Sequence, residues 1–305
     1  MQTDRTSDRS TGGGRVLAIL LIAYIFNFID RQIIGVLAIP IKAELNLSDT
    51  QLSLMGGIAF ALFYSGLAIP IAWLADRKSR VNIIAVSVAF WSLFTALCGL
   101  AQNFWHLFLA RMGVGIGEAG GVAPSYALIS DYFPKERRAR ALALFSLGIP
   151  IGSALGVFSG GWIASNIDWR SAFLIVGLAG LPAAILVRIG IREPVRGGHD
   201  TLDGRASGPA PPFLNVAATL ARTPSFWLLS FGAASGSILG YGLIFWLPSF
   251  FSRSFDLSLT EVGWFYGSIV LIGGMAGTWL GGWLGDRTGP DPPSRYALVP
   301  RTCFL

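Results

Sequence analysis

Charge is what this 305-residue chain has least of. Asp, Glu, Lys and Arg make up 13% of it, against 53% hydrophobic residues. A soluble domain averages about 25% charged residues, so this composition excludes an ordinary water-facing globule. Cysteine is almost missing: Cys98 falls in an apolar run and Cys303 in the tail, which excludes a disulfide framework. The chain has two histidines and no His, Cys, Asp and Glu cluster at metal-ligand spacing, so no metal and no cofactor are expected. A Walker-type loop and a nucleophile elbow are also missing, and with them any sign of an enzyme. The glycines of Gly113-Val114-Gly115-Ile116-Gly117 have the spacing of a dinucleotide loop, but they follow no strand and lie in an apolar run. A cleavable signal peptide is not expected, because residues 1–14 are polar and the first apolar run is too long.

What is present is length in apolar runs. A helix needs about 20 apolar residues to cross about 30 Å of hydrocarbon. Eight such spans are expected, at 15–38, 51–75, 81–101, 104–130, 139–163, 169–191, 224–251 and 259–284. The fold class is therefore an all-α polytopic membrane protein. The net charge of +6 does not point to nucleic acid, because the basic residues sit in short loops. Eighteen of the 23 Lys and Arg fall in the N-terminal tail and the even-numbered loops; three, Lys42, Arg170 and Arg253, fall in the odd ones. That bias places the N-terminus in the cytoplasm of a multi-pass cell-membrane or bacterial inner-membrane protein.

The chain also repeats itself. Trp73-Leu74-Ala75-Asp76-Arg77, between two spans, returns as Trp283-Leu284-Gly285-Asp286-Arg287. At the same offset Ser48 matches Ser258, Thr50 matches Thr260 and Gly57 matches Gly267. Duplication of whole apolar segments points to a transporter built from repeats. The expected division is a tail at 1–14, a six-span bundle at 15–192 and a linker at 193–222, rich in Gly and Pro over 197–212. A partial second bundle of two spans follows at 223–289, then a tail at 290–305. On this reading the chain is a fragment of a longer protein.

Four charges fall inside spans: Asp30 and Arg31 in the first, Arg111 and Glu118 in the fourth. Each costs at least about 2.5–3.5 kcal/mol near mid-bilayer, so each is expected to face a cavity or a partner. Two readings stand: an ion-pair network that holds helices together, and a coupling or substrate site in which a carboxylate exchanges an Arg partner for a proton. Arg111 and Glu118, seven residues apart, are expected on one face of their helix. Glycines recur every four residues at Gly148, Gly152, Gly156 and Gly160, and again at Gly273, Gly277, Gly281 and Gly285. Small residues let helices approach closely in lipid, so the fifth and eighth spans are expected to meet through these ladders. Pro150 and Pro248 are candidate breaks or kinks. His106 reads as an interfacial residue.

Taken together, these motifs resemble the major facilitator superfamily, whose pattern G-x-L-x-D-R-x-G-R the hairpin follows with Ala72 and Ser79 in place of glycines. Asn27-Phe28-Ile29-Asp30-Arg31 and Gly115-Ile116-Gly117-Glu118-Ala119 look most like the Spinster-type subfamily. The resemblance implies two six-helix bundles working by alternating access, of which this chain carries the first bundle and two helices of the second. It implies a small amphipathic or anionic organic substrate, with lysolipids one candidate, movement coupled to protons, and a monomer in the bilayer with no nucleic-acid partner. Asp30 and Glu118 become candidate proton sites, with Arg31 and Arg111 their partners or a headgroup anchor. Asp76, Arg77 and Arg80, and in the second copy Asp286 and Arg287, become the cytoplasmic gate. The rival expectations are a remnant that inserts without transporting, and a carrier of the same fold for organic anions or sugar acids.

Overall fold

Prolines decide where the apolar runs break. A computed structural model describes residues 5–197 and 213–288, all helical apart from short connections, with no strand among them. The first span is α1 (Arg5–Val36) and α2 (Ala38–Leu45). The second is α3 (Asp49–Ser53), a π-helical turn over Leu54–Ile58, and α4 (Ala59–Ala75). Then come α5 (Arg80–Cys98), α6 (Phe104–Glu118), α7 (Val122–Tyr132), α8 (Lys135–Ser146), α9 (Gly148–Asn166) and α10 (Trp169–Gly190). A short helix α11 (Phe213–Ala221) precedes α12 (Pro224–Phe255) and α13 (Leu259–Thr288).

Three spans are interrupted, at Leu37, at Ala119–Gly121 and at Leu147, and a proline follows three residues after each break, at Pro40, Pro124 and Pro150. A proline ring clashes with the carbonyl four residues back and offers it no N–H, so the old helix ends there and the proline sits in the first turn of the next. The fourth span is thus not the continuous helix expected over 104–130. Seven stretches of the described residues are long and apolar enough to cross a membrane by themselves; the remaining crossing is shared by α6 and α7, each too short alone. Pro248, in contrast, lies inside α12, which continues through it.

The duplication extends to the helix starts. Ser48 accepts from the Gln51 backbone N–H while the Gln51 side chain accepts from the Ser48 N–H. Ser258 and Glu261 repeat this capping box at the matching positions. The linker is not wholly irregular, since α11 occupies its last part. Its Gly-Pro stretch over 198–212, the tails at 1–4 and 290–305, and the side chains of Gly285, Asp286 and Arg287 lie outside the described residues.

The glycine expectation needs correction. A Cβ at Gly152 would meet the Ile25 backbone oxygen at 2.5 Å, and one at Gly156 would meet that of Ile29 at 2.9 Å. Gly148 and Gly160 also face α1, at Tyr24 and Ile33. This ladder seats α9 on α1, not on the eighth span. Gly273, Gly277 and Gly281 have open space within 4 Å. The fifth and eighth spans do pack together, but through other glycines: Gly263 lies against the Val157 carbonyl, Gly267 against the Phe158 ring, and Gly274 against Pro150. The four-residue spacing correctly marked a smooth face. Which neighbour would take it depends on how six helices share a bundle, which spacing does not encode.

Candidate functional site

The charges placed inside spans converge between α1 and α6, which their long side chains bridge. Glu118 is the last residue of α6 and is fully buried. Its Oε2 accepts from Arg31 Nε at 2.6 Å. One turn and three residues earlier on α6, buried Arg111 donates from Nη1 to the Asp30 backbone carbonyl at 3.5 Å. Asp30 and Arg31 are therefore split between two α6 partners. Asp30 is 2% exposed, and its Oδ1 has no hydrogen-bond partner; the same holds for Glu118 Oε1 and Arg31 Nη2. So the structure joins Arg31 to Glu118 and Arg111 to the backbone beside Asp30, and it gives the Asp30 carboxylate no ion pair among the described residues.

Arg31 is the member of the four that reaches out of the bundle. Its guanidinium carbon lies 5.1 Å from the Phe28 ring centre, 5.0 Å from Phe60 and 4.8 Å from Tyr64. Such an aromatic box holds a cation while excluding water. Its Nη1 donates to the Tyr241 hydroxyl of α12 at 3.3 Å, across 210 positions of sequence. That offset equals the one relating Asp76 to Asp286. Gly35 and Phe245 share the offset too, and they also touch: a Cβ on Gly35 would lie 3.0 Å from the Phe245 carbonyl. Equivalent positions of the two repeats thus face each other at 31/241 and 35/245, which puts the pseudo-two-fold axis of the fold beside Arg31.

Beyond this point α12 stays in contact with the first bundle toward the α2–α3 end. The Phe245 ring fills the space beside Gly56, inside the π-helical turn. Arg253 clasps Asp49 with Nη1 at 3.2 Å and Nη2 at 2.9 Å, and Lys42 adds a bond to the same carboxylate at 2.8 Å. Toward the linker end the α12 residues from Phe226 to Leu239 are largely exposed. Among the described residues, α12 thus meets the first bundle along Tyr241–Arg253 and is largely exposed before it.

The hairpin after the second span has partners that spacing did not reveal. Arg80 forms an ion pair with Asp131 of α7. Glu193, just past α10, accepts from Ser79 Oγ at 2.7 Å, Arg80 N at 3.1 Å and Val81 N at 3.0 Å, so a remote carboxylate caps α5. Partial burial pushes the Glu193 carboxyl up, but the Val81 amide, the Ser79 hydroxyl and the Arg80 amide outweigh it and hold it below the usual carboxylate range. Arg196 closes the staple by donating to the carbonyls of Ala75 and Lys78. Arg77 folds back over Trp73, 3.9 Å from the ring centre. Asp76 is exposed, and its carboxylate has no partner among the described residues. Nothing in the sequence pairs Asp131 and Glu193 with the hairpin.

The sequence profile of the Major Facilitator Superfamily matches residues 20–300. The chain belongs to this superfamily. It is 33% identical to an MFS-type efflux pump of Mycolicibacterium smegmatis over 91% of its length, and 29% identical to human Protein spinster homolog 1 over 95%. In structure it is similar to a bacterial homolog of the human lysosomal transporter Spinster in an inward-facing and unoccupied conformation, with TM-score 0.77, 36% identity and 92% of this chain covered. The chain spans 63%, 58% and 64% of the length of these three relatives. The fold is that of a major facilitator protein of the Spinster-like kind, with a complete N-terminal six-span bundle and the first two helices of the C-terminal one. In that frame the Arg31–Tyr241 contact joins the first helix of one bundle to the first helix of the other.

Proposed function

We propose that the protein acts as a secondary active transporter, working by alternating access and coupled to protons, for a small amphipathic or anionic organic molecule. The observation that carries this reading is the buried Arg31–Glu118 pair with its bridge to Tyr241. A guanidinium boxed by aromatic rings, with Tyr241 of the other bundle on its Nη1 and its Nη2 unpaired, suits an anionic headgroup flanked by apolar chain once the bundles part. When an anion or a proton takes one partner, the other is left as a lone buried charge, which costs several kcal/mol. Such a pair is therefore stable in a few occupancies, as coupling requires. Asp30 and Arg111, next to it, complete the charge balance.

In this reading the N-terminus and the linker end face the cytoplasm, following the positive-inside bias. The Asp49–Arg253 clasp and Phe245 close the outer end, and the hairpin staple around Arg80, Asp131 and Glu193 steadies the inner end of the first bundle. Asp76, Arg77, Asp286 and Arg287 form the cytoplasmic gate of the complete carrier. A lysolipid is the first candidate substrate, on the Spinster-type resemblance carried by Asn27–Arg31 and Gly115–Ala119. Likeness to an MFS-type efflux pump supports outward movement; a second reading keeps the fold and makes the cargo an organic anion or sugar acid. Reconstituted into liposomes, the protein is expected to move a fluorescent lysophospholipid faster than an organic anion of equal charge. Faster anion movement favours the second reading. Movement of neither overturns the transport assignment for this chain and leaves a protein that inserts without transporting.

A further inference from the structure

α6 and α7 part at Ala119–Gly121, directly after Glu118 and inside the fourth span. Irregular backbone at that depth is tolerated where it is buried in protein or lines a water-filled cavity. Gly121 lines a small cavity between α1, α5, α7 and α8, walled mostly by buried residues, with about 10 Å³ open to the centre of a water molecule. That is close to the room one water needs. Asn27, Trp91 and Ser125 also line it. Asn27 and Trp91 are 1% and 2% exposed. No hydrogen bond of ordinary length and angle reaches either end of the Asn27 amide or the Trp91 Nε1–H. Ser125 Oγ donates to the Gly121 carbonyl at 2.7 Å, which leaves it free to accept. Polar groups left unmet in such a place destabilise the fold unless something satisfies them.

The structure assigns this cavity as an internal water site, formed by Asn27, Trp91 and Ser125. One water can accept from Trp91 Nε1–H and from the Asn27 amide and donate to Ser125 Oγ, within the two to four partners a buried water takes. Asn27 lies beside the Glu118 carboxyl group, so it is a positioning residue that sets water one amide away from Glu118. The helix break gains a role as well: Gly121 at the break forms part of the cavity wall. That this water serves proton exchange at Glu118 rests on the proton-coupled reading above; its presence does not.

Hydroxyl radicals made by X-ray pulses label side chains next to bound water even when they are buried. With the full chain in lipid nanodiscs, we expect Trp91 to be labelled, while equally buried Phe173 is not. In Asn27→Leu the Trp91 label is lost, and exposed Trp105 and Trp162 keep theirs. An unlabelled Trp91 in the unaltered protein overturns the inference whatever the variant does, as does an undiminished label in a folded Asn27→Leu. Labelling does not depend on transport, so a failure here and a failure of the transport reading are separate results.

Discussion

Glu118 and Asp30 are both buried carboxylates in apolar helices, yet their surroundings predict different responses to neutralisation. Glu118 holds Arg31 at 2.6 Å, so Glu118→Gln strands a buried guanidinium. Removing one partner of a buried pair costs about 3–5 kcal/mol. Asp30 has no such partner, and Asp30→Asn is expected to cost clearly less. Thermal unfolding in one detergent gives the ranking, and a larger loss for Asp30→Asn would contradict the pairing. Adding Arg31→Met to Glu118→Gln should recover part of the loss, since an apolar replacement for both members is often tolerated. These four charges were legible because charge is so rare in the spans. Tyr241 was not, and Asn27 stood out only as part of a motif, because only the packing brings them to Arg31 and Glu118.

At the scale of elements, the glycines separate into contacts and open faces. Gly152→Leu pushes a side chain into the Ile25 backbone and should cost about 1–3 kcal/mol or more by overpacking; Gly277→Leu, in open space, should be close to neutral. Equal melting shifts would contradict the assignment of that ladder to α1. Glu193 offers a test at a helix start. Its carboxyl is held below the usual range, so its contribution is full above the unfolded value of about 4.3 and is lost as pH falls through the lower folded value. Glu193→Gln should weaken the α5 start by about 1 kcal/mol, seen as faster hydrogen exchange at the Arg80 and Val81 amides at pH 7 with little further change on acidification. Helices themselves were legible from run length, while Ser48 and Ser258 stood out as matching positions of the repeat and not as caps. The break at Ala119–Gly121 was missed, because the apolar run on both sides of Pro124 has the length of one span. The partners of the hairpin were not legible, because Arg80, Asp131 and Glu193 come together only once α5, α7 and α10 are bundled.

At the scale of the molecule, the contacts at 31/241 and 35/245 put α1 and α12 on a common axis, and the Asp49–Arg253 clasp closes one end of it. An exposed pair of this kind is a weak clasp, so it can yield without unfolding the bundle. Asp49→Arg should raise the rate at which a water-soluble thiol reagent reaches Ser249→Cys, a buried position on α12, and Asp49→Arg with Arg253→Asp should restore it in part, since Lys42 also bonds the Asp49 carboxylate. The central claim is that the Arg31–Glu118 pair couples substrate movement to protons. The most direct measurement is lysophospholipid movement in proteoliposomes with and without an imposed pH gradient, in the unaltered chain and in Asp30→Asn and Glu118→Gln. The expected result is gradient-driven movement in the first and none in the two variants, with all three inserting equally. The same dependence on the gradient in all three would contradict it.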